Sequence, residues 1–151
     1  MKQCLELGIE SRGNPLGTVF ASNTEIRTFR EVHMFTQVRS FNNQAFQFSS
    51  LEYIEIPDYF TSLPYQCFRY GNLKEIDIPA GVSEIGEWCF GGNDATLETV
   101  IVRNTTPPTI ASQTFRGQTM AQIYVPSESV EAYKSATYWS NLASRIHAIE
   151  D

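Results

Sequence analysis

The chain has 151 residues, of which 42% are hydrophobic and 13% aromatic, enough for one domain with a sizeable core and too apolar for a disordered chain. Its formal net charge is −6, and residues 51–100 set nine acids against only Arg69 and Lys74, which excludes a basic nucleic-acid face and an anionic membrane surface. No stretch approaches the roughly 18–20 apolar residues of a membrane span.

In chain order, Met1 to Leu7 lacks the apolar core and small-residue cleavage site of a secretory signal. Ser11-Arg-Gly-Asn-Pro-Leu-Gly17 contains glycines but neither the spacing nor the lysine of a phosphate loop. Residues 1–28 form a separate N-terminal stretch, with Leu7 and Val19 in step with the periodicity that follows. They read either as a degenerate repeat or as a cap.

From residue 29 the chain repeats. Leu51-Glu-Tyr-Ile54-Glu-Ile56-Pro57 returns as Leu73-Lys-Glu-Ile76-Asp-Ile78-Pro79, then as Leu97-Glu-Thr-Val100-Ile-Val102, then as the run from Met120 to Val125-Pro126. The starts lie 22, 24 and 23 residues apart. Stepping back 22 residues gives a more degenerate copy through Phe29, Val32, Met34, Val38, Phe41 and Phe46. Self-similarity at this period marks stacked coils that bury a shared core.

Each column has a physical reason. In L-x-x-I-x-I the alternation sends Ile54 and Ile56 one way and Tyr53 and Glu55 the other, as in a short strand with one buried face. Proline next, at 57, 79 and 126, has no amide to donate and ends the ladder. Asn42, Pro64 and Gly86 are turn formers. Ala45-Phe46, Cys67-Phe68, Cys89-Phe90 and Thr114-Phe115 then pair a small residue with a ring driven into the coil. The architecture expected is an α/β solenoid of 22–24-residue coils over residues 29–126, with a parallel β-sheet on one face. Residues 127–151 read as a C-terminal helical cap. Ser127 is the expected N-cap of a helix over 127–136, Tyr138-Trp139 the plug, and Ile146 to Ile149 a last strand.

The pattern L-x-x-I-x-I-P-x-x-V-x-x-I-G-x-x-x-F from Leu73 to Phe90 resembles the BspA-like class of leucine-rich repeats. Thr106-Pro-Pro-Thr109 and the run from Val125 to Ser140 resemble the closing repeat and cap of that family in anaerobic gut bacteria and their phages. The resemblance covers about residues 29–149. It implies a surface, extracellular or virion-borne protein acting in adhesion and recognition, with no shared catalytic motif and no cofactor. The alternative is a structural component of a phage virion, fibre or other assembly, acting through self-association or packing on neighbours.

Chemistry is sparse. His33 and His147 fall in different repeats, too far apart to serve one pocket. No zinc or calcium motif appears, so no metal is expected. Cys67 and Cys89 share a column, and neighbouring coils ~5 Å apart would allow a disulfide. The column otherwise holds Ala45 and Thr114, which favours small, buried, reduced residues. By strand alternation the outward face presents His33, Tyr53, Glu55, Glu75, Asp77, Ile101, Arg103 and Tyr124. That acidic and aromatic strip is the candidate binding face for a protein or a glycan.

Overall fold

A computed structural model describes residues 20–150. Its strands are β1 (Thr28–Phe29), β2 (Tyr53–Glu55), β3 (Ser62–Leu63), β4 (Glu75–Ile78), β5 (Glu84–Ile85), β6 (Thr99–Val102), β7 (Gln122–Val125) and β8 (Ile146–Ala148). Six of them form one sheet in the order β1-β2-β4-β6-β7-β8, and every pairing is parallel. Because that order follows the chain, each repeat lies directly on its predecessor. A second ladder pairs β3 with β5, and a bridge from Glu84 to Thr109 extends it by one coil.

The register is the one the repeat demands. Ile54, Ile76, Val100, Ile123 and Ile146 face one another across successive strands, and none is more than 2% exposed. Proline does more than end a strand, since the carbonyls of Pro57 and Pro79 accept the amides of Phe60 and Val82 and so start the next turn. Where the column holds Arg103 instead, its N–H donates to Ile78 O at 3.0 Å and the ladder runs one residue further.

Asn42, Pro64 and Gly86 do open turns: their carbonyls accept the amides of Ala45, Cys67 and Cys89. The third residue of each turn, Gln44, Gln66 or Trp88, has φ of 63°, 56° or 61°. A second turn follows at once, with Phe48 and Tyr70 third, both at φ 57°. Glycine is the usual occupant there, and a side chain costs about 1–2 kcal/mol. Inside the coils, Phe20, Phe46, Phe68, Phe90 and Phe115 stack in a column, with centroids 5.2–5.6 Å apart and planes within 15°. Such contacts stabilise by about 0.5–1.5 kcal/mol each beyond burial.

Two expectations need correcting. β1 pairs Phe29 with Ile54, not with Leu51, so the first strand sits 25 residues before the second. The three additional residues are taken up in a 3₁₀ turn at Glu31–Met34, and the 22-residue step resumes at Phe35, whose carbonyl accepts from Val38 as Pro57 does from Phe60. Val32 is buried on that turn, and Met34 is 37% exposed. At the other end, Ser127 caps nothing. Residues Ser127–Ser129 form a 3₁₀ turn leading into the helix α1 (Val130–Ser135), which has no side-chain cap. Leu7 and Val19 lie outside the described residues, whereas Phe20 and Ile26 pack into the common core.

Residues after β7 pack against the last coil. The Trp139 ring meets Phe115 at 5.7 Å and Tyr133 at 5.1 Å. Its Nε1–H donates to Pro108 O at 2.7 Å, and Tyr133 Oη donates to Asn104 O at 2.6 Å. The Thr106-Pro-Pro-Thr109 element therefore turns a carbonyl toward the indole.

Candidate binding face on the parallel sheet

Strand alternation sets two outward rows. The first runs Thr28, Tyr53, Glu75, Thr99, Gln122, and the second Glu55, Asp77, Ile101, Tyr124, His147. Neighbours in a row stand ~4.8 Å apart, the inter-strand spacing. Glu55 and Glu75 are exposed, and Tyr53, Asp77, Ile101 and Tyr124 are half-buried. The structure thus brings seven of the eight expected residues to one face, with Arg103 just beyond β6. His33 is the exception. The three-residue insertion carries it onto the 3₁₀ turn, where its Nδ1 lies 2.8 Å from Arg30 O.

His147 joins this face in addition to the residues expected there. It enters because β8 joins the sheet, 5.5 Å from the Tyr124 ring and 2.7 Å from Gln122 Oε1 through Nε2. The signal was available in the Ile146-His-Ala run, where the residue after the buried isoleucine must point outward.

Arg103 reaches back across the sheet to Asp77. Nε donates to Oδ1 at 2.8 Å and Nη2 to Oδ2 at 2.7 Å, a two-pronged contact. Those hydrogen bonds, and the Asp77 charge behind them, raise the Arg103 pKa above its ordinary value. Beside the pair is a depression of about 320 Å³ lined by Tyr53, Glu55, Asp58, Asp77, Pro79 and Arg103. Arg103 pairs directly with Asp77 and is also in electrostatic contact with Asp58, whereas Glu55 has no salt-bridge partner among the described residues. The Arg30 guanidinium lies 5.3 Å from the Tyr53 centroid.

This arrangement can hold a cation. His147 meets an amide and a ring, not a hydroxyl or thiol. Cys67 and Cys89 are free and fully buried, and burial pushes both thiols upward in pKa, away from the reactive thiolate. Among the described residues no three of His, Cys, Asp or Glu gather closely enough to share a metal ion.

The sequence profile of the BspA-type leucine-rich repeat region matches residues 19–144 in six copies, so the chain belongs to that family. No curated protein matches the chain.

Proposed function

We propose that this leucine-rich-repeat protein is a non-enzymatic recognition module, exposed at a cell surface or on a virion, that binds a protein partner through its sheet face. In this reading it is a solenoid closed at the C-terminal end by residues 127–149, with Trp139 as the plug. The observation that carries it is the depression over β2 and β4, whose lining sets three carboxylates, Glu55, Asp58 and Asp77, against the one cation Arg103 beside a tyrosine ring. Such a site takes a lysine or arginine side chain, by a carboxylate contact on one side and ring contact on the other. Rigid strands hold these groups, so little order has to be gained on binding.

The test is binding of lysine- and arginine-rich peptides by the parent and by a Glu55→Gln/Asp58→Asn double variant. Affinity is expected to fall roughly tenfold in the variant, as for the loss of charge-assisted hydrogen bonds, and to weaken with added salt. Equal affinity for both proteins would refute the sheet-face site.

One observation favours the second reading, a structural part of a phage fibre or other assembly. β8 pairs with β7 alone among the described residues, so its other edge remains open to a further strand. Concentration-dependent sedimentation, abolished by Ala148→Pro on that edge, would support assembly; a monomer at every concentration would exclude it.

A further inference from the structure

Outside the sheet, the paired turns build a second row across the coils. Phe48 stacks on Tyr70 with centroids 5.0 Å apart and planes within 16°. The Arg69 guanidinium then lies 4.5 Å from the Tyr70 centroid and 4.2 Å from that of Trp88. Arg116 follows on Trp88 at 5.5 Å. Phe48 is 52% exposed, Tyr70 and Trp88 are half-buried, and Arg116 is exposed.

Two features separate this row from ordinary surface. Phe48, Tyr70 and Trp88 all hold φ between 57° and 61°, a conformation bulky side chains rarely adopt. The core does not require these rings, because the position of Phe48 and Tyr70 is glycine in the later coils, at Gly92 and Gly117, and that of Trp88 is glutamine in the earlier ones, at Gln44 and Gln66. Strained side chains of this kind cluster where a surface is used. Secondly, neither arginine has a carboxylate partner among the described residues. Arg69 donates from Nη2 to Tyr70 Oη at 2.8 Å, and its Nε is buried with no hydrogen-bond partner among the described residues.

The charge of the row follows from its stacking. Tyr70 and Trp88 are stacked among neighbours and meet solvent by their ring edges, which carry the positive end of the aromatic quadrupole, whereas Phe48 is stacked on Tyr70 and stays 52% exposed, with ring surface to offer. Between them stand guanidinium edges lined with N–H donors. On a chain of net charge −6 this is an electropositive ridge with apolar flanks. Arg69 and Arg116 belong to coils two steps apart, ~10 Å at the usual strand spacing.

We propose that this ridge binds an acidic linear polysaccharide, its carboxylates on Arg69 and Arg116 and its sugar rings along Phe48, Tyr70 and Trp88. A stiff polymer with carboxylates at regular intervals matches a regular ridge, and loses less freedom on binding than an acidic peptide would. Bidentate guanidinium contacts suit carboxylates in particular, and Arg116, exposed and with no carboxylate partner among the described residues, has its fork to offer, while Arg69, half-buried, adds its charge.

The experiment titrates the full chain with a polyuronate oligosaccharide, a neutral oligosaccharide of equal length, and poly-glutamate. Polyuronate is expected to bind, the neutral sugar to bind far more weakly, and Arg116→Gln to cost roughly tenfold in affinity. Arg116 is exposed, so this variant should melt with the parent; Phe48→Gly, which suits the backbone at that position, is the second variant and should also weaken binding. Glu55→Gln should leave polyuronate affinity as it is while weakening the binding of basic peptides, which separates the ridge from the sheet face. The proposal is overturned if polyuronate fails to bind, if poly-glutamate binds as tightly, or if Arg116→Gln leaves the affinity unchanged.

Discussion

Gln118 is 5% exposed, and its amide ties the loop before β6 to the coil. Oε1 accepts from the amides of Thr96 at 3.1 Å and Leu97 at 2.9 Å, and Nε2 donates to Phe90 O at 3.0 Å and Asp94 O at 3.3 Å. Gln118→Met keeps the volume and removes all four bonds. The Thr96 and Asp94 ends are part-buried and can turn to water. The Leu97 and Phe90 ends are buried and would be left unsatisfied, at about 1–3 kcal/mol each. The expected loss is therefore about 4 kcal/mol, a large part of the 5–15 kcal/mol typical of a domain. Urea unfolding should show it as a lower midpoint at unchanged slope, and thermal melting as a drop of roughly 8–16 °C. The surface control Gln113→Met should stay within about 0.5 kcal/mol. A loss below about 1 kcal/mol for Gln118→Met would show that the loop finds other partners and refute the argument.

Gly86→Ala would bring a Cβ to 2.5 Å from the Pro64 and Tyr65 backbone of the neighbouring coil; a loss of about 1–3 kcal/mol is expected in urea unfolding. Gly92→Ala, whose nearest neighbour would be 3.4 Å away, should cost less than about 1 kcal/mol. Cys67 and Cys89 should resist alkylation in the native protein and react on unfolding, read by peptide mass; rapid native labelling would contradict their burial. Burial also raises the pKa of both thiols and of the Tyr133 phenol. Groups raised in the folded state stabilise it fully below their unfolded pKa values, about 8.5 for thiol and 10 for phenol. Stability should then decline as pH climbs beyond them, and a urea midpoint that holds constant to about pH 10.5 would refute this.

The stacked columns are legible in the sequence because a repeat writes the same requirement several times. Ile54, Ile76 and Val100 are apolar at one spacing because each meets the next across a strand pair. The insertion after β1 is hidden for the same reason. Phe29, Val32, Phe35 and Val38 are all buried, so a 22-residue and a 25-residue step both align apolar residues with apolar residues. Only the pairing of Phe29 with Ile54 decides between them, and with it goes the position of His33. Ser127 misled differently. A serine before acidic residues signals a helix start, but here the 3₁₀ turn at Ser127–Ser129 delays the helix to Val130.

The turn-side ridge was invisible for a deeper reason. Left-handed positions are recognised in a sequence by the glycine or asparagine that relieves them, and Gly117, at φ 87°, obeys that rule. A Cβ there would collide with the Gly92 carbonyl, so nothing else fits. The corresponding turns two and three coils earlier have room for a side chain, and they carry Tyr70 and Phe48 at φ 57°. Backbone preference alone would place glycine at all of them. The rings occupy the positions where space permits and conformation resists, and they stack there on each other and on an arginine with no carboxylate partner among the described residues. That combination separates selection for a surface from selection for a fold, and only the placed backbone reveals it.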